Sequence, residues 1–136
     1  MKVIKNEDIN TALINEKRIY LSGNLKEVNK IEHIQTDGYE MGISNYDKFT
    51  CERAHYHLYN FEFNYVLEGT VKVYIFSEKK EYILKNGDLF LIEPNMVYIS
   101  KAIANTKVLF TKNPGGNDKV LTPEYEENIK DWMANW

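Results

Sequence analysis

Phe61, Phe63, Tyr65 and Leu67 alternate with Glu62, Asn64, Val66 and Glu68, and this period of two restricts the fold more than any other feature of the chain. Successive side chains of an extended chain point to opposite faces, so the run reads as a strand with two unlike faces. Glu68-Gly69 turns it into VKVYIF, where Val71, Val73 and Ile75 alternate with Lys72, Tyr74 and Phe76. The two runs predict a hairpin. Ser77 to Lys80 is a polar turn into EYIL, and Asn86-Gly87 suits a type I′ turn, whose two central residues need positive φ. LFLI, Leu89 to Ile92, is the next strand, and Ile103 and Val108 to Phe110 add one or two more before NPGGND, Asn113 to Asp118, breaks the pattern. Strands this short and closely spaced predict an all-β antiparallel sandwich or barrel.

The flanks differ from this central region. RIYL, Arg18 to Leu21, reads as a strand ended by Ser22-Gly23-Asn24, and His33 falls in a mixed segment as a structural or exposed residue. Near the other end, Thr122 is placed to cap a helix whose first residue is Pro123. Tyr125, Ile129, Trp132, Met133 and Trp136 then recur at helical spacing. The spacing predicts a short helix over 123–136 whose apolar stripe packs on this barrel or on a neighbour's. A length of 136 residues suits one domain over 1–136, with a barrel core at about 39–111.

Hydrophobic residues make up 43% and charged residues 27%, which excludes a disordered chain. A net charge of -3, with Arg18 and Arg53 the only arginines, argues against a nucleic-acid partner, because phosphate backbones demand a concentrated basic face. The opening MKVIKNEDIN carries Glu7 and Asp8 where a signal peptide needs an apolar run, and no apolar stretch approaches a membrane span. A cytoplasmic protein without a membrane partner is expected. Cys51 is the single cysteine, so neither a disulfide framework nor a thiolate zinc cage is available.

The stretch AHYHLYNFEFNYVLEG, Ala54 to Gly69, holds two of the three histidines. On a strand, His55 and His57 leave the same face about 7 Å apart at the backbone and can converge on one ion. Four residues, Leu58 to Phe61, suffice to turn the chain so that Glu62 joins them from the adjacent strand. Two imidazoles and a carboxylate form a face suited to a divalent transition metal such as Fe, Mn, Zn or Ni, with open positions opposite. By the same parity Arg53 faces inward as a clamp for a substrate carboxylate or phosphate, the alternative being a solvent ion pair. Asn64 shares the face of Glu62 and can bond a ligand hydroxyl.

His55-Tyr56-His57, Glu62 and Gly69 have the spacing HxHx4Ex6G, which resembles the first motif of the cupins. Gly87 to Tyr98, GDLFLIEPNMVY, is similar to the second. The resemblance covers roughly Tyr39 to Thr111 and implies a double-stranded β-helix, a jelly-roll barrel, with a metal inside its mouth and ligands at His55, His57 and Glu62. The sequence departs from the family pattern at Phe49 and Asn95, where glycine is usual, and at Glu93, where proline is usual. Asn95 is a reasonable replacement because asparagine tolerates positive φ. Where the family places its fourth ligand, a histidine, this chain has Tyr98. Three roles are open to that residue: a phenolate ligand, an acid or base beside the ion, or the mark of a site that has lost its metal.

The expected function is therefore a metal-binding cupin enzyme that moves a proton on a small oxygenated metabolite or sugar derivative, through Tyr98 or Glu62, by isomerisation, epimerisation or elimination. An Fe(II) dioxygenase and a non-catalytic module that binds a sugar or small acid are the alternatives. The strand from Phe61 to Leu67 is apolar on the face opposite Glu62, which with Tyr74 and Phe76 predicts a homodimer.

Overall fold

A computed structural model describes residues 1–27 and 29–136. Among the described residues twelve strands form two sheets. The first sheet contains β1 (Arg18–Gly23), β2 (Ile34–Gln35), β3 (Glu40–Tyr46), β6 (Phe61–Glu68), β9 (Leu89–Ile92) and β11 (Thr106–Asn113), in the order β2-β1-β3-β11-β6-β9. The second contains β5 (His55–His57), β7 (Thr70–Ile75), β8 (Lys80–Lys85), β10 (Tyr98–Ala102) and β12 (Lys119–Leu121), in the order β12-β5-β10-β7-β8, and β4 (Thr50–Cys51) also pairs with β10. Consecutive strands repeatedly change sheet, so β6 and β7 do not pair as the expected hairpin, and Glu62 reaches the histidines from the opposite sheet rather than from an adjacent strand. The result is the jelly-roll barrel expected from the sequence, with a short helical segment after it.

The alternation in β6 is inverted relative to an ordinary half-buried strand. Glu62, Asn64 and Val66 point inward, while Phe61, Phe63 and Tyr65 face outward and are exposed. Burial without a partner is costly for a carboxylate or an amide, so the polar interior face marks where the barrel is kept for something other than packing. Val66, Val71, Val73, Ile75, Ile92, Ala102 and Val108 close the rest of the interior as a dry core, each branched side chain contributing about 1.5–3 kcal/mol by leaving water.

Gly69 takes φ +82 between β6 and β7, and a Cβ there would collide with Thr106, so both the turn and the close approach need glycine. Asn95 takes φ 65, the conformation expected of it. The Asn86-Gly87 turn differs from expectation. Only Gly87 has positive φ, and the amide of Asp88 donates to Lys85 O, which makes a type II turn. It joins β8 to β9 in different sheets, so the twist requirement of a two-residue hairpin does not apply.

Two further elements cover the barrel from outside. The helix α1 (Asn6–Ala12) sets Ile9, Ala12 and Leu13 against Ile19 and Ile43 on the outer side of the first sheet. The final segment forms a 3-10 helix (Pro123–Ile129) followed by α2 (Lys130–Ala134), rather than one continuous α-helix. Pro123 occupies the first turn as expected, but the Thr122 hydroxyl makes no cap and is buried without a partner. Tertiary contacts replace the cap. Lys101 donates to the carbonyls of Trp132 and Asn135 at 2.6 Å and lies 3.9 Å over the Trp132 ring, whose Nε1 donates to Glu81. No helix among the described residues is long and apolar enough to cross a membrane.

Candidate functional site

His55 and His57 point inward from β5, as their parity requires, and both are almost wholly buried. Tyr98 is the cross-strand partner of His55 in the β5/β10 ladder, which places its phenol among the imidazoles. Glu62 and Asn64 reach the same space from β6. These five residues line a cavity of about 50 Å³, together with Arg18, Lys112 and Lys119, while Val71, Phe90 and Val108 add its apolar wall.

The hydrogen bonds fix the proton positions. His55 Nδ1 lies 2.6 Å from the carbonyl oxygen of Arg53, an acceptor, so Nδ1 carries the proton and Nε2 presents a lone pair. That lone pair accepts from the Tyr98 hydroxyl at 2.8 Å. Burial lowers the pKa of His55 to about 4, keeping the ring neutral. Burial also pushes the Tyr98 phenol well above its ordinary value, and the Glu62 carboxylate adds to the effect. The phenol therefore holds its proton at neutral pH.

His57 is arranged differently. Its Nδ1 lies 2.7 Å from Oδ1 of Asp118, and its Nε2 faces Glu62 Oε2 and the Tyr98 oxygen, each at 3.4 Å. With Nδ1–H donating to Asp118 and the one phenolic proton given to His55, the Nε2 of a neutral His57 would point its lone pair at two acceptors. A divalent ion between them would accept that lone pair together with the Glu62 carboxylate. Among the described residues no three of the histidine, cysteine, aspartate and glutamate side chains form a ready metal cage, and the Tyr98 hydroxyl is hydrogen-bonded to the nitrogen that His55 would offer an ion. His57 Nε2 and Glu62 Oε2 nonetheless lie 3.4 Å apart, the spacing of neighbouring ligands about 2.0–2.2 Å from one ion. Two imidazoles and a carboxylate are donor types that a divalent ion would take, with His55, His57 and Glu62 to hold it.

Asp118 was not visible in the sequence pattern. It lies in the turn-rich NPGGND stretch, directly before β12, which pairs with β5 so that Lys119 is opposite His57. Its second oxygen accepts the amides of Tyr59 and Asn60 at 2.7 and 2.8 Å. One carboxylate therefore orients His57 and fastens the β5–β6 turn. Arg53 departs from expectation: it lies outside the cavity, and its Nε donates to both oxygens of Glu126 at 2.8 and 3.1 Å. Residues 52–54 belong to no strand between β4 and β5, so strand parity does not carry back from His55. Asn64 does line the cavity, and its amide donates to Glu62.

The family model for the cupin domain matches residues 48–111, spanning both histidines, Glu62 and Tyr98. The chain carries a cupin domain. No curated protein matches the sequence. Among solved structures, KdgF from Halomonas sp. is similar at TM-score 0.55 and 20% identity, over 61% of this chain and 74% of that one. The Streptomyces protein Pac13, described as a nucleoside dehydratase, gives TM-score 0.55 at 13% identity, over 64% and 70% of the two chains. A structure described with the DMSP lyases RdDddP and RnDddQII gives TM-score 0.61 at 14% identity, over 77% of this cupin chain but 51% of that one. At these identities the likeness is one of fold.

Proposed function

We propose that this cupin is an enzyme that moves protons on a small oxygenated metabolite, by isomerisation, epimerisation or elimination. One observation carries the reading: the Tyr98 hydroxyl, kept protonated, is enclosed in one cavity with two imidazoles and the Glu62 carboxylate. An acid and a base held in one enclosed space are what proton transfer at carbon or to a departing oxygen requires. Tyr98 Oη is the acid, oriented by its hydrogen bond to His55. Glu62 is the base, and Asp118 holds His57 in the tautomer that turns Nε2 toward the cavity.

A divalent ion held by His55, His57 and Glu62 would supply polarisation of a substrate oxygen. The protein neighbours described as a dehydratase and as lyases support elimination in particular, since both words name that class of reaction. A structure of Pac13 with uridine supports a small-molecule ligand in a fold of this kind. The exposed outward row Phe61, Phe63 and Tyr65 supports a homodimer as the working form.

The test is solvent exchange. Purified protein is incubated in D₂O with a panel of small hydroxy acids, polyols and sugars, and proton NMR is used to follow deuterium entering carbon and the appearance of eliminated products. Exchange or product formation that disappears in Tyr98→Phe and in Glu62→Gln supports the proposal. Ligand binding without either process identifies a binding module, and consumption of dissolved oxygen identifies a dioxygenase; each would overturn it.

A further inference from the structure

The cavity contains more cationic side chains than its chemistry of proton transfer needs. Arg18, Lys112 and Lys119 line it, against the carboxylates of Glu52 and Glu62. Among the described residues none of the three cations lies within 4.0 Å of a carboxylate, while Glu52 is taken by Lys17 at 2.6 Å and Glu62 by His57. Lys112 is only 6% exposed. A lysine this enclosed without a counter-ion is costly, and a ligand of opposite charge would offset that cost.

The placement of two of these cations is built into the strands. Arg18 and Lys112 come from β1 and β11, and both lie over the ring of Phe110, with cation-to-centroid distances of 4.8 and 5.7 Å. Phe110 is itself 2% exposed and braced edge-on by Tyr20 at 5.5 Å, so the platform is rigid. Arg18 Nε donates to its cross-strand neighbour Ser44, which fixes the guanidinium plane and leaves the two terminal nitrogens as donors. Lys112 is the cross-strand partner of Glu62, so an anion held by Lys112 lies next to the base.

We propose that Arg18 and Lys112 form a subsite for the carboxylate of the substrate, making that substrate a small hydroxy carboxylate. The guanidinium fork matches a carboxylate in two parallel hydrogen bonds, and Lys112 adds a point charge. The lining, three cations against two carboxylates, suits a single negative charge, and a dianionic phosphate would be repelled by neighbouring Glu62. The assignment rests on the proton-transfer reading for what happens to the substrate, though not for its binding.

Glycolate, its neutral counterpart ethylene glycol, and inorganic phosphate are titrated separately into ¹⁵N-labelled protein, at fixed ionic strength, with backbone amide shifts as the readout. Glycolate is expected to bind at least tenfold more tightly than ethylene glycol, with shifts centred on β1 and β11, and to weaken at least tenfold in Lys112→Met and in Arg18→Met. Equal affinity of the wild-type protein for glycolate and ethylene glycol would overturn the proposal whatever the variants do, and so would tighter binding of phosphate than of glycolate. Tyr98→Phe should still bind glycolate. Binding that persists there, with no deuterium exchange on any hydroxy acid in the wild type, supports the subsite while rejecting the reaction; exchange on neutral polyols without glycolate preference does the reverse.

Discussion

The carboxylate of Asp118 meets Nδ1 of His57 at 2.7 Å across 61 residues of chain, and its other oxygen accepts two backbone amides from the turn that follows β5. A side chain supplied by a late strand thereby sets the tautomer of a histidine supplied by an early one. Outer partners of this kind typically change metal affinity or activity by about 10–100-fold when removed. Asp118→Ala is expected to lose that much turnover, and to cost about 1–3 kcal/mol of stability as three donors lose their acceptor. Activity and denaturant titrations on the same preparation check both.

The acid side of the stability profile should carry the same signature. Burial raises the pKa of Asp118, but the amides of Tyr59 and Asn60 and the His57 ring outweigh it and hold the carboxyl below the usual range. A depressed carboxylate contributes stability that is present above its unfolded value, near 4, and is lost as pH falls through the folded value. Asp118→Asn is therefore expected to flatten the pH dependence of unfolding below about pH 4, leaving neutral and alkaline slopes alone. An unchanged acid limb would mean that Asp118 is not held as described.

Tyr98→Phe removes one oxygen from the centre of the site. Turnover is expected to fall by roughly 10²–10⁴, the usual worth of a positioned proton donor, with metal content retained. Tyr98→His restores an imidazole at the position where the family carries one. Metal should bind more tightly in that variant and activity should not recover, because the shorter group does not deliver a proton from the same point. Metal analysis beside steady-state rates separates the two effects.

The expected metal can be tested directly. Protein from metal-replete medium should carry about one divalent ion per chain, His57→Ala should abolish it, and chelation should lower the melting temperature. Absence of binding on titration with divalent metals would refute the metal-dependent reading.

Light scattering should find a particle of twice the 16.0 kDa chain mass. Phe63, 44% exposed at the middle of the outward row of β6, is the residue to change. Phe63→Glu is expected to yield monomers with the interior site intact, whereas a wild-type monomer at micromolar concentration would remove the case for assembly.

Local pattern revealed what local geometry determines. The parity of β5 and β6 brought His55, His57, Glu62 and Asn64 into one cavity as anticipated, and Gly69 and Asn95 take the left-handed backbone their turns need. Arg53 shows the limit of that reasoning, because parity holds only within a strand and residues 52–54 belong to none. The final segment shows another limit: helical spacing was correct about which residues recur but blind to the Lys101 and Glu81 contacts that hold it in place. Asp118, Arg18 and Lys112 could not be anticipated at all. Their place in the site depends on strand order, which pairs β12 with β5 and sets β1 two strands from β11.

The pairing of β12 with β5 also has a consequence in time. Ribosomes make the two histidines first and, 61 residues after His57, Asp118, so a nascent barrel displays imidazoles whose tautomer nothing yet fixes. On the proposed reading, competence for proton transfer would arrive only when Asp118 docks with the late strand. Polypeptides that stall before it are expected to collect the dry core while remaining chemically silent, so that completion of folding and onset of catalysis coincide.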